Sequence, residues 1–140
     1  MTMAQRVLGA LLIVGAIVTG FYWWSYFSGG DVMASHERWY TAFESSFPVA
    51  DGWMALCMAA AGIGFLTKRG WAQPLGLMAG SALIYLAAMD ITFNVENGMY
   101  ALAGVNDAMK FEVFINVTTA LLGVWTLFSG WPRSPDDRVR

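Results

Sequence analysis

Residues 71–93 read WAQPLGLMAGSALIYLAAMDITF, an apolar run broken by a single charge, Asp90. As a helix rising 1.5 Å per residue this run reaches about 34 Å, enough to cross a hydrocarbon core of about 30 Å. Three more stretches have the same character: Val7 to Phe27, Val49 to Leu66 and Met109 to Phe128. Transmembrane β-strands would be about half as long and would alternate in polarity, which these stretches do not. The expected fold is therefore all-α, an integral membrane four-helix transmembrane bundle.

Composition supports the same class. The chain of 140 residues is 57% hydrophobic and 13% charged, with a mean hydropathy of +0.50, against roughly 45–50% and 25% in soluble domains. A water-soluble core of this size has no room for so much apolar surface. Residues 1–132 are read as one transmembrane domain and 133–140, RSPDDRVR, as a polar cytoplasmic tail. The first stretch exceeds the 7–15 apolar residues of a signal peptide and has no A-x-A site. It ends in FYWWSYF at residues 21–27, an aromatic belt suited to a membrane boundary.

Orientation follows from the basic residues. Arg6, Lys68, Arg69, Arg133, Arg138 and Arg140 fall on one side of the four stretches, Arg38 and Lys110 on the other. Six against two places the first group, and both termini, in the cytoplasm of a multi-pass cell-membrane protein. Between the first and second stretches, SHERWYTAFESSF at residues 35–47 sets Trp39, Tyr40, Phe43 and Phe47 at helical spacing, the pattern of a short interfacial helix. Pro48 and Pro74 suit the first turns of the second and third helices. Asn97-Gly98 reads as a turn, and Asn106 or Asp107 as a helix cap.

Inside a membrane, small residues mark where helices meet. Gly76, Gly80, Leu83, Ala87, Asp90 and Asn94 repeat at spacings of four and three, so the face that buries the glycines also carries Asp90. The fourth stretch repeats the pattern with Glu112, Asn116, Thr119, Gly123 and Thr126. The second gives Asp51, Ala55, Met58, Gly62 and Phe65, and the first Gly15, Thr19, Tyr22 and Tyr26. Leu77 and Met78 fall off the seam. Antiparallel connection brings Asp51, Asp90 and Glu112 to one level at the outer end, bracketed by Asn94 and Asn116, with Tyr22, Tyr26 and Glu44 in reach.

Two readings of these residues stand together. Carboxylates in a partly dehydrated space need a proton or a cation among them, which makes a ligand- or ion-binding site of hard oxygen donors. Alternatively Asp51 and Glu112 are helix N-terminal residues favoured by the dipole, with Lys110 as a neighbouring base, and the cluster is a structural cap. Asp90 has no such account, because it lies towards a helix C-terminus.

Several classes are excluded. A net charge of -2 without a basic patch argues against nucleic acid. Cys57 is the sole cysteine, so no internal disulfide, CxxC pair or thiolate metal cage exists. No nucleotide-binding, metalloprotease or serine-hydrolase motif is present, and no cofactor is implied. Asn116-Val117-Thr118 matches a glycosylation sequon but falls within an apolar helix. His36, the sole histidine, is placed in an outer loop. The nine methionines suit packing. No acidic residue occupies the first stretch, unlike four-helix multidrug exporters, and cysteine pairs of four-helix quinone reductases are missing. The functional expectation is a small membrane protein with an outward-facing acidic pocket that binds or translocates a cation, a proton or a small polar or lipid ligand. The alternative is an accessory or scaffold subunit of a larger membrane complex with no ligand of its own. Membrane lipids are expected partners, and a homo-oligomer is open under either reading. An enzymatic role would need one carboxylate as acid and another as base, and nothing further supports it.

Overall fold

The computed structural model describes residues 2–131. The expected tail, with Arg133, Asp136, Asp137, Arg138 and Arg140, lies outside the described residues. Within them the chain is all-helical, with five α-helices and no strand: α1 (Met3–Phe27), α2 (Arg38–Glu44), α3 (Pro48–Thr67), α4 (Ala72–Glu96) and α5 (Asp107–Gly130). A 3-10 helix, Met99–Gly104, links α4 to α5. Among the described residues four helices are long and apolar enough to span a membrane, α1, α4, α5 and the stretch that contains α3.

Each long helix starts or ends where local chemistry dictates. Thr2 and Gln5 cap α1 reciprocally, the hydroxyl accepting from the Gln5 amide and the Gln5 side chain accepting from the Thr2 amide. Pro48 sits in the first turn of α3, where its missing N–H costs nothing. Asn106 caps α5 by accepting from the Met109 amide at 3.1 Å. Gly98, at φ 66°, turns the chain out of α4.

The helices run further than the apolar stretches suggest. α4 continues to Glu96, so Asn94 is helical and Asp90 lies almost two turns inside the helix instead of near its end. α5 begins at Asp107, so Glu112 is past the first turn and the dipole account does not cover it. Only Asp51, in the first turn of α3, keeps that account.

Four glycines set two close helix crossings. A Cβ placed on Gly62 would lie 2.7 Å from the carbonyl oxygen of Gly9, joining α3 to α1. One placed on Gly80 would lie 3.0 Å from both the Gly123 carbonyl and the Leu127 amide, joining α4 to α5. Gly76 instead faces the ring of Phe65 on α3, at 3.2 Å. Leu77 is half-buried against Gly130, which corrects its placement off the seam, whereas Met78 is exposed.

Around the bundle α1 packs along α3, α3 along α4 and α4 along α5, but α5 barely meets α1. The ring is therefore open on one side. The short helix α2 exists, seven residues long and without a side-chain cap. At that length a helix has no stability of its own in water, so packing must hold it. Tyr40 is fully buried, Glu44 is buried, and the Phe43 ring stacks on Phe93 of α4 with centroids 3.5 Å apart. Phe47 lies beyond α2, at the start of α3.

Candidate functional site

The open side of the ring leads into a cavity of about 540 Å³. Glu44, Asp51, Asp90 and Glu112, from α2, α3, α4 and α5, line one end of it, together with Tyr22 and Asn116. The bundle thus brings the carboxylates of the expected cluster to one cavity, each from a different helix.

Hydrogen bonds join three of the four. Glu112 accepts from the Asn94 amide nitrogen at 2.6 Å and from the Tyr40 hydroxyl at 2.7 Å. The Asn94 nitrogen also lies 3.1 Å from Asp90 Oδ1 and 3.0 Å from the Asp90 backbone carbonyl. Tyr40 stands 3.3 Å from Glu44 Oε1, and Tyr22 donates to Glu44 Oε2 at 3.4 Å. Asp51 is bonded separately, accepting from the Trp23 indole at 2.8 Å. Asn116 is buried and donates to the hydroxyl of Tyr100, on the 3-10 helix, at 2.9 Å.

The network is short of donors. An amide nitrogen carries two protons and a phenol one, so Asn94 cannot satisfy three acceptors fully and Tyr40 cannot serve both glutamates. Asn94 Oδ1 is fully buried and has no donor at all. No basic side chain among the described residues relieves this. Among the described residues the ion pairs are His36 with Asp31 and Lys110 with Asp107, both exposed. Lys110 is thus paired with Asp107 and not with the cluster, to which the cap reading had added it as a neighbouring base, and His36 lies in the connection between α1 and α2. No three His, Cys, Asp or Glu side chains among the described residues are placed to hold a metal ion.

Of the residues singled out from sequence, Tyr26 is the one the fold keeps apart. It packs edge-on against Trp23, with ring centroids 5.1 Å apart, and does not line the cavity. Asn94 lies behind the lining and bridges Asp90 to Glu112. Three participants were missed. Tyr40 had a signal, since it precedes Glu44 by four residues and so shares its helix face. Trp23 was absorbed into the aromatic belt. Tyr100, in a linker, had none.

No protein-family model, curated protein or solved structure matches the chain.

Proposed function

We propose that this chain is a multi-pass membrane protein whose acidic cavity binds a ligand that brings positive charge or hydrogen-bond donors. The observation that carries this reading is the donor shortage at a cavity end lined by four carboxylates that have no basic partner among the described residues. Buried polar groups left unpaired are costly, and buried charge more so. A cation, a proton or a donor-rich head group would offset that cost. Membrane insertion is supported by the outward faces of the long helices, where Ile17, Phe21, Leu56, Tyr85, Phe114 and Leu121 are exposed. In water such a surface would aggregate, whereas lipid solvates it. The basic-residue count puts both termini in the cytoplasm and the acidic end outside. There α2, with Trp39 exposed, suits the membrane boundary.

Native mass spectrometry of protein released from mild detergent tests the reading. A small-molecule adduct on the wild-type chain that Glu44→Gln/Glu112→Gln loses is expected. An adduct unaffected by those substitutions overturns the site, and co-release of a larger protein subunit from a ligand-free chain favours the accessory role.

A further inference from the structure

The cavity does not end at the carboxylates. From Tyr22 it follows α1 past Thr19, Val18, Gly15 and Val14 to Leu11, about 16 Å at the helical rise. Along α5 it runs from Glu112 to Trp125, about 20 Å. Its volume of about 540 Å³ sits within the roughly 300–1,000 Å³ of small-molecule sites.

Beyond the acidic end its walls are apolar. Met54, Met58, Leu83, Leu86 and Leu122 close the back. Two of the hydroxyls on this surface are spent within their own helices: Thr19 donates to the Gly15 carbonyl at 3.0 Å and Thr118 to the Phe114 carbonyl at 2.8 Å. The site is thus divided, with charge and unmet acceptors at one end and hydrocarbon along the rest.

The cavity also has a side entrance. α1 turns its buried residues, Leu8, Gly9, Leu12 and Trp23, towards α3, which leaves its contact with α5 slight. The two rims of this slot, Val14 and Val18 on α1 and Phe114 and Leu121 on α5, are exposed apolar side chains that line the cavity and face outward. In a membrane these rims meet acyl chains, so the slot connects the cavity to the lipid.

We infer that the occupant is a lipophilic ammonium, a single-chain amine whose head lies among Glu44, Asp51, Asp90 and Glu112 and whose hydrocarbon chain lies along α1 and α5, admitted sideways through the slot between them. This inference rests on the acidic end being a ligand site. An ammonium carries three donors and a positive charge, which answers the uncompensated carboxylates that line this end of the cavity and relieves Tyr40 and Asn94 of serving more acceptors than they have protons for. A neutral alcohol supplies one donor and no charge. A phosphate or carboxylate head would be repelled. A small hydrophilic cation leaves the apolar length unfilled.

The test uses the full chain in nanodiscs of phosphatidylcholine, with dodecylamine carrying a diazirine at its chain end as the probe. Light-induced labels are mapped by peptide mass spectrometry, with competition by dodecylamine, dodecanol and methylammonium. Labels are expected in the Leu11–Gly15 and Leu121–Trp125 segments. Dodecylamine should compete at least about tenfold better than either other compound, and Glu44→Gln/Glu112→Gln should cut labelling by about the same factor. Competition by dodecanol equal to that by dodecylamine removes the charge from recognition and overturns both this inference and the acidic site. Methylammonium competing as well as dodecylamine, without labels in the two segments, leaves the acidic site standing and overturns the lipophilic ligand. No competition by any compound overturns both. The competition series is run on wild-type protein, so it decides even where the double variant fails to fold. Val18→Trp, on the exposed rim, should slow labelling several-fold, and an unchanged rate overturns entry through the slot.

Discussion

Tyr40 has one hydroxyl proton and stands between two carboxylates, 2.7 Å from Glu112 and 3.3 Å from Glu44. This arithmetic gives opposite signs for two small substitutions. Tyr40→Phe removes a donor from a network already short of them and should destabilise the ligand-free protein by about 1–3 kcal/mol. Glu112→Gln adds an N–H that can donate to the Tyr40 oxygen, freeing the phenol proton for Glu44, while the remaining carbonyl still accepts from Asn94. Its melting temperature in detergent should equal or exceed the wild type. A fall as large as that of Tyr40→Phe would show that donors are not limiting. Asp51 offers a separate test, since its partner is the Trp23 indole at 2.8 Å. Trp23→Phe strands the carboxylate and should cost about 1–3 kcal/mol. In an Asp51→Leu background the same change should cost less, and additive losses in that double-mutant cycle would deny the bond any energetic role.

Among the elements, α4 carries the most constraint, because one face meets α5 at Gly80 and α3 at Gly76 while its far end holds Asp90 and Asn94. A leucine at residue 80 would drive side-chain atoms into the Gly123 carbonyl and the Leu127 amide, which are backbone and cannot rotate away. Gly80→Leu should cost about 1–3 kcal/mol or more through overpacking. Met78 is exposed, so Met78→Leu should be nearly neutral. Detergent melting of the pair is the check, and equal melting temperatures would contradict the α4–α5 crossing. Gly76→Leu should be milder than Gly80→Leu, since the atoms it meets are the end of the Phe65 ring. α2 shows the reverse dependence. Seven residues with no capping side chain are held by Tyr40, Phe43 and Glu44, so its local stability is set by the bundle beneath it.

For the whole molecule, the topology and the open ring make separate claims. In a Cys57→Ala background a cysteine at residue 69, in the short α3–α4 connection, should react with a membrane-impermeant thiol reagent only from the cytoplasmic side. One at residue 97, beyond α4, should react only from outside. Labelling of residue 69 in intact cells would reverse the orientation. The ring is open because α1 commits its buried face to α3, and the cavity lies where a fourth tight contact would otherwise be.

The four long helices are legible in the order of amino acids alone, since length and uniform apolarity are local properties that the bilayer dimension makes decisive. So is the inward placement of Asp90 and Glu112, because helical spacing ties each of them to the glycines and other small residues of one face. Packing adds what spacing left open: Tyr40 joins Glu44 at that level, Asn94 bridges α4 to α5, and Tyr26 stays apart. Periodicity says which face a residue occupies but not which neighbour that face meets. The gap between α1 and α5 was equally invisible. It depends on α1 choosing α3, a choice made by the depth at which Gly9 and Gly62 bring two backbones together, and no single helix carries that information alone.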